Sequence, residues 1–182
     1  MSYRIALAKI SDKSRISELI KHSVRALSSN DYSKAQIDAA LTSAWGVDTQ
    51  LLRDNTYFCV WLDDELSACG GWSYRKTLFG SDNRKDRDTS RLDPLVDAAK
   101  IRAFFVHPAH SRRGLGSMLL KHCEQSAWDS GFRNMEMGAT LPGMRLYQQH
   151  SYEAGEQYEF NVSDEESIMI IPMFKKLESR PE

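Results

Sequence analysis

The spacing of hydrophobic residues changes along the first half of the chain, and each spacing predicts a type of element. Apolar residues three or four apart predict two amphipathic helices, one over residues 11–27 and one over residues 37–45. Segments rich in β-branched and aromatic residues predict three strands, at residues 3–9, 56–62 and 66–75, of which the last two form a hairpin. The N-terminal half therefore combines helices with antiparallel strands.

The second half repeats this mixture after a charged segment. Residues 76–100 are rich in turn-forming and charged residues, which is consistent either with a solvated surface loop or with a flap on the substrate side. Beyond it, the pattern predicts alternating strands and helices, with boundaries at strand 101–106, a helix from Leu115, strand 132–139, a short helix to His150, and a hairpin of strands 152–162 and 167–174. Pro172 favours an edge position for the last strand.

This order of elements predicts one mixed α/β (α+β) domain over residues 1–182, with a polar tail from 175 to 182. A chain of 182 residues can bury about 70% of the surface of its unfolded form. Lys and Arg total 24 against 25 Asp and Glu, so bulk charge gives no reason to expect a nucleic acid partner. No segment resembles a signal peptide or reaches the ~20 apolar residues of a membrane span, so we expect a cytoplasmic protein with no membrane partner.

A basic glycine turn joins the strand at 101–106 to the helix that follows. The apolar residues of that helix recur every fourth position, at Leu115, Leu119, Cys123 and Ala127. A helix N-terminus leaves backbone N–H groups unpaired and carries the positive end of the helix dipole. Gly114 and Gly116 lack a Cβ, and Arg112 and Arg113 add positive charge. The turn therefore suits a phosphate group.

The spacing of the turn excludes two classes of phosphate ligand. A P-loop requires Lys and then Ser or Thr after its last glycine, whereas Gly116 is followed by Ser117 and Met118. The dinucleotide fingerprint requires a third glycine where this chain has Leu119. Neither a nucleoside triphosphate nor a dinucleotide is therefore expected.

The remaining pattern resembles motif A of the GNAT superfamily of N-acetyltransferases. In that family a strand ending in Val/Ile-x-Pro precedes [Arg/Gln]-x-x-Gly-x-[Gly/Ala], and the turn cradles the pyrophosphate of acetyl-CoA. The matching residues are Val106-His107-Pro108 and Ser111 to Gly116, with Ser111 where the family has Arg or Gln. The resemblance, specific over residues 100–152, implies a mixed, mostly antiparallel sheet of six to seven strands flanked by helices.

The resemblance also implies the activity and its cosubstrate. Acetyl would pass directly from acetyl-CoA to a primary amine in a ternary complex. The backbone N–H of Val106 would donate a hydrogen bond to the oxyanion that develops on the thioester carbonyl. Preorganised donors of this kind usually make the largest catalytic contribution. The residues expected to bind the coenzyme are Phe104, Phe105, Val106, Arg112, Arg113, Gly114, Leu115, Gly116, Ser117 and Thr140.

Two catalytic side chains are implied further along the chain. Leu146-Tyr147 to Tyr152 resembles the family's motif B, with Ser151 where glycine is usual. Tyr147 would protonate the leaving thiolate, since a phenol with a pKa near 10 can donate to a thiolate with a pKa of about 8.5. Glu136, on the strand before it, is the predicted general base, although another carboxylate or a chain of waters stays open.

Other chemistry is less well supported by the sequence. His107 and His110 lack a third ligand, so we expect no metal cofactor. Cys123 lies on the apolar face of its helix and reads as a core residue. The rival interpretation is a catalytically silent CoA-binding sensor or structural module on the same fold. The acceptor, a small-molecule amine or a peptide N-terminus, stays open, as does homodimer formation.

Overall fold

One mixed sheet with helices on both faces forms the centre of the molecule. The computed structural model describes residues 2–85 and 87–181, so Met1, Asp86 and Glu182, which the predictions for 1–182 and 76–100 include, lie outside the described residues. The helices are α1 (Lys13–Leu27), α2 (Lys34–Ser43), α3 (Thr49–Arg53), α4 (Leu115–Asp129) and α5 (Met144–Gln149). The strands are β1 (Tyr3–Leu7), β2 (Tyr57–Leu62), β3 (Glu65–Ser73), β4 (Ala98–Val106), β5 (Asn134–Thr140), β6 (Glu153–Ala154), β7 (Tyr158–Asn161) and β8 (Ser167–Lys176).

The sheet has the order β1-β2-β3-β4-β5-β8-β6, and β7 also pairs with β8. All its strand pairs are antiparallel except the parallel pair β4–β5. The predicted mixed, mostly antiparallel class is thus confirmed. The described residues form eight strands instead of the expected six to seven, because the predicted strand 152–162 is two short strands that pair with different parts of β8.

Alternate strand residues face two separate hydrophobic cores. One core packs under α1, α2 and α3 and includes Ile16, Ile20 and Leu51. The other packs under α4 and α5 and includes Leu119 and Met135. Side chains of a strand point alternately to its two faces, so β5 places Met135, Met137 and Ala139 in the second core. The intervening residues of β5 therefore face the side of α1.

Strand β4 begins earlier than predicted and contains an irregularity. Ala98 to Lys100, predicted as the end of the charged segment, already belong to the strand. Further along, the β3–β4 register shifts between Cys69 and Gly71, and Ala103 adopts a φ of +55°. This is a β-bulge, which bends a strand and redirects its groups. Gly70 lies opposite the bulge. A residue without a Cβ is needed there because a Cβ would lie 2.5 Å from the Phe104 ring.

The C-terminal strand differs from the prediction in two ways. It is an inner strand, paired with β5 on one side and with β6 and β7 on the other, and the edge position favoured by Pro172 is wrong. Pro172 has no backbone N–H to donate. It fits because β7 pairs with residues up to Ile170 and β6 pairs only from Met173, so neither strand needs an N–H from Pro172 for its ladder. Residues after 174 also continue the fold, since β8 extends to Lys176 and Arg180 forms an ion pair with Asp129.

No helix among residues 2–85 and 87–181 combines the length and the apolar character needed to cross a membrane.

Candidate active site

Strands β4 and β5 separate after a short stretch of pairing, and the gap between them opens a cavity. Their parallel pairing joins only Ala98–Lys100 to Asn134–Glu136. Beyond that point a cavity of about 450 Å³ lies between the strands, lined on one side by residues 101–106 and on the other by 137–140. Backbone groups of β4 along the gap therefore have no neighbouring strand and are available to a ligand.

The predicted glycine turn lies at this cavity. Gly114 is the N-cap of α4 with a φ of +81°, and Arg112, which lines the cavity, has a φ of +62°. The helical hydrogen bonds begin with Met118 N–H to Gly114 O at 2.9 Å, so the N–H groups of residues 115–117 precede the ladder. These groups and the positive end of the helix dipole favour an anion at this position.

Gly116 also lines the cavity, and its lack of a side chain has a steric reason. A Cβ at this position would lie 2.9 Å from Cδ2 of Leu146 on α5. Any larger side chain must displace Leu146 or occupy the space in front of the helix N-terminus. The glycine therefore keeps the approach to the N–H groups open.

Six of the ten residues predicted to bind the coenzyme line the cavity: Phe104, Phe105, Val106, Arg112, Gly116 and Thr140. The other four, Arg113, Gly114, Leu115 and Ser117, belong to the turn but are not among its lining residues. Leu115 is a core residue, 1% exposed. Arg113 points toward β1, where its Nη1 donates to the Tyr3 hydroxyl at 3.4 Å.

The backbone N–H of Val106, the predicted oxyanion donor, points toward the gap between β4 and β5. His107 N–H donates to Ser67 O of β3 at 2.8 Å. Successive residues of a strand direct their N–H groups to opposite edges, so Val106 N–H points away from β3 and toward the gap. There it donates to Ser23 Oγ of α1 at 3.3 Å, a long bond that a better acceptor can replace.

Tyr147 projects from α5 into the same cavity. Its side chain is 7% exposed and its ring lies 6.4 Å from that of Phe104, centroid to centroid. None of the described residues forms a hydrogen bond with its hydroxyl. Burial, the main cause, and the neighbouring Cys123 raise the pKa of the Tyr147 phenol, so its proton is retained over the physiological range.

Glu136 is not brought together with Tyr147. It lies on the stretch where β4 and β5 are still paired, and its carboxylate forms an ion pair with Lys100. It lines a second cavity with Asn134, Ser151 and Phe174 rather than the cavity between the separated strands.

The wall opposite the glycine turn is built from two loops. Trp45 and Gly46 follow α2, and residues 78–81 belong to the charged segment 76–100. Phe79 packs against the Phe160 ring at 4.6 Å and occupies the space where a Cβ of Gly138 would stand, 2.7 Å from its Cζ. The start of this segment is thus part of the cavity wall.

A buried ion pair that sequence reasoning missed closes this wall. Arg102 of β4 and Asp48, the N-cap of α3, form a direct salt bridge, with side chains 3% and 2% exposed. Arg87 adds a second guanidinium 3.6 Å from the same carboxylate and donates to Gly80 O at 2.8 Å. Burial raises the pKa of Asp48, and the two arginines oppose that shift. Asp48 is the only carboxylate-bearing residue among the described residues that line the cavity.

The two departures from the family motifs are accommodated in different ways. Ser151 adopts a φ of +64°, the left-handed conformation that explains why glycine is usual there. Ser111 lines the cavity in place of Arg or Gln, next to Arg112.

The three cysteines are all buried and unpaired. Burial raises the pKa of the Cys69 thiol to about 12 and that of Cys123 well above its usual value. A thiolate nucleophile is therefore disfavoured at each of these positions.

Comparison with known proteins identifies the family. The model of the acetyltransferase (GNAT) family matches residues 21–152, which include the separated strands, the glycine turn and Tyr147. The chain belongs to the GNAT acetyltransferase family. The predicted resemblance is thereby confirmed, and the match extends beyond the two motifs that suggested it.

Solved structures share the GNAT fold over nearly the whole chain. A GCN5-related N-acetyltransferase of Rhodopseudomonas palustris has a TM-score of 0.70 at 18% identity, with 97% of this chain and 95% of that chain covered. The PaiA N-acetyltransferase of Thermoplasma acidophilum, solved with coenzyme A, has a TM-score of 0.67 at 14% identity, covering 97% and 99%. YncA of Salmonella typhimurium, solved with its cofactor acetyl-CoA, has a TM-score of 0.65 at 17% identity, covering 98% and 96%.

Proposed function

We propose that this protein is an acetyl-CoA-dependent N-acetyltransferase that moves acetyl to a primary amine by direct transfer in a ternary complex. The observation that carries the proposal is the single cavity between β4 and β5. It is lined at one side by Arg112 and Gly116 of an anion-binding turn and at the other by loops suited to an acceptor. A thioester and an amine can therefore meet within one cavity.

The coenzyme would bind along the glycine turn and β4. Its pyrophosphate would accept hydrogen bonds from the N–H groups at the start of α4, with Arg112 as counter-charge. Its pantetheine arm would follow the free edge of β4 past Phe104 and Phe105, with Thr140 on the opposite side. The thioester carbonyl would then lie near Val106 N–H, which would exchange Ser23 for the developing oxyanion.

The chemical step needs no covalent enzyme intermediate. The amine nitrogen attacks the thioester carbonyl carbon, the C–N bond forms, and collapse of the tetrahedral intermediate breaks the C–S bond. Tyr147 donates its proton to the departing thiolate, which leaves as free CoA. Its raised pKa keeps the phenol protonated, so that it can donate a hydrogen bond to the developing thiolate.

The acceptor amine must also lose a proton, and the geometry favours a different carboxylate from the predicted Glu136. Glu136 pairs with Lys100 outside the cavity. Asp48 lines the cavity, and burial raises its pKa against the opposing effect of Arg102 and Arg87. We therefore propose Asp48, acting through water, as the proton acceptor in place of Glu136.

A screen of amines and peptides for release of free CoA thiol tests the proposal. The untagged protein is first titrated with acetyl-CoA by calorimetry to establish binding. We expect binding and, with at least one primary amine, release of thiol above hydrolysis together with an equal amount of N-acetylated product. Binding with no turnover on any acceptor would instead support the silent CoA-binding module.

A further inference from the structure

A cluster of metal-ligating side chains lies outside the cavity, at the end of β4 that precedes the glycine turn. One ring nitrogen of His107, one of His110 and one carboxylate oxygen of Glu65 all lie within 4.8 Å of one another. None of these side chains has a role in the proposed reaction. Glu65 is the third ligand that the sequence alone did not place beside the two histidines.

The register of the sheet explains why these residues meet. The antiparallel pair β3–β4 aligns Ala68 with Val106, so Glu65 at the start of β3 lies beside the chain that leaves β4. A 3-10 turn over Pro108–His110, closed by His110 N–H to His107 O at 2.9 Å, folds the second histidine back toward the first. The three ligands therefore come from a rigid sheet end and one tight turn.

The distances are close to those of a tetrahedral metal site. Zinc bonds to nitrogen and oxygen are about 2.0–2.2 Å long, so ligand atoms around a tetrahedral zinc lie roughly 3.4 Å apart. His110 Nε2 and Glu65 Oε2 are already 3.4 Å apart. The distances to His107 need to shorten by at most ~1.4 Å, a movement within reach of the exposed Glu65 side chain and the half-buried His107 ring.

The donor set selects a class of ion. Two imidazoles and one carboxylate suit Zn²⁺ and neighbouring divalent transition metals, whereas Ca²⁺ and Mg²⁺ require mostly oxygen ligands. We propose that Glu65, His107 and His110 form a Zn²⁺-class site with three protein ligands and a fourth position for water. The His22 ring, edge-on to His107 with centroids 4.8 Å apart, borders the site.

The contacts around the ligands resemble the outer shell of a metal site. His110 Nδ1 lies 3.1 Å from the Tyr3 hydroxyl. With metal on Nε2, His110 carries its proton on Nδ1 and donates it to the Tyr3 oxygen, which also accepts from Arg113 of the glycine turn. His107 Nδ1 accepts a hydrogen bond from Ala109 N–H at 3.2 Å. This bond is lost if Nδ1 binds the ion, and also if Nε2 binds the ion and Nδ1 carries the ring proton.

Metal titration of untagged, chelator-treated protein tests this site. Zn²⁺ is followed by calorimetry and Co²⁺ by its visible d–d absorption, which distinguishes tetrahedral from octahedral coordination. We expect one ion per chain and a tetrahedral Co²⁺ spectrum. Glu65→Gln and His110→Gln should each weaken Zn²⁺ binding by about tenfold or more, and Tyr3→Phe by about tenfold.

Controls separate this site from general histidine binding and from misfolding. His150→Gln removes a histidine outside the cluster and should leave Zn²⁺ affinity unchanged. Glu65 is exposed, so Glu65→Gln should keep the melting temperature of the metal-free protein. The proposal is overturned if wild-type protein binds no stoichiometric Zn²⁺, or if His150→Gln lowers the affinity as much as His110→Gln does.

Discussion

The two walls of the cavity are built in different ways. The turn wall consists of Phe104, Phe105, Val106, Arg112, Gly116, Thr140 and Tyr147, and the loop wall consists of Trp45, Gly46, Asp48, Leu78, Phe79, Gly80, Ser81 and Arg102. On the turn wall the groups offered to a ligand are largely backbone N–H groups held by a strand and a helix end. On the loop wall they are side chains held by packing and by one buried ion pair. Under the proposed function, the first wall would bind the cosubstrate, and the second would determine acceptor preference.

On the turn wall, the largest effect that we expect is a fall in kcat when the Tyr147 hydroxyl is removed. Tyr147→Phe should lower kcat by about 100-fold or more, because the thiolate then leaves without a proton donor. Affinity for acetyl-CoA, measured by calorimetry, should change little, since the ring remains. Tyr158→Phe, a partly exposed tyrosine on β7, serves as the control. An unchanged kcat in Tyr147→Phe would remove the tyrosine from the mechanism.

On the loop wall, the largest effect that we expect is a loss of folding stability. Asp48→Asn removes the charge that compensates buried Arg102, and breaking such a pair costs about 3–5 kcal/mol. Chemical denaturation should show a loss of this size. Asp38→Asn, which removes an exposed carboxylate paired with Arg25 and Lys34, should leave the midpoint almost unchanged. Similar midpoints for the two variants would mean that the Asp48–Arg102 pair does not stabilise this wall.

A smaller, more selective effect should follow from filling the turn. In Gly116→Leu the new side chain must displace Leu146 or occupy the space in front of the α4 N-terminus. We expect acetyl-CoA affinity to fall by about tenfold or more, with overpacking costing only about 1–3 kcal/mol of stability. Gly155→Ala, at a glycine that does not line the cavity, is the control. Equal acetyl-CoA affinities for wild type and Gly116→Leu would count against a pyrophosphate site at this turn.

The smallest effect should separate the walls kinetically. Phe79→Ala removes a ring from the loop wall and should raise KM for the acceptor by about tenfold, with KM for acetyl-CoA within about twofold, because aromatic burial contributes on the order of 1–3 kcal/mol. Phe174→Ala, an exposed phenylalanine outside this cavity, should change neither constant. A rise in KM for acetyl-CoA alone would mean that Phe79 contacts acetyl-CoA and not the acceptor.

The turn wall could be predicted from sequence because its information is local. Val106, Pro108, Gly114 and Gly116 lie within eleven positions of one another, and the strand–turn–helix they define determines where the N–H groups point. Arg102 and Asp48 lie 54 residues apart, and neither belongs to a motif. One signal was available: a charged residue within an apolar strand requires a buried partner, although the sequence does not say which.

Glu136 shows a further limit of reading strands from sequence. Its alternation with Met135 and Met137 correctly predicts that it faces away from the core under α4. The position at which two strands stop pairing is not encoded in that alternation. Because β4 and β5 are still joined at Lys100 and Glu136, the carboxylate lies below the opening of the gap and finds Lys100 as its partner.

Because β4 and β5 pair over so short a stretch, the bound cosubstrate would also help to hold the two strands together. Among the residues that the structure describes, three residue pairs are the only direct rungs joining the two halves of the sheet. Under the proposed function, the pantetheine arm lies where a further stretch of strand would have continued, so it acts as a removable strand that completes the ladder. A ligand that binds only the folded chain at 100 times its Kd stabilises it by about 2.7 kcal/mol. Slower amide hydrogen exchange at the ends of both strands would be its signature.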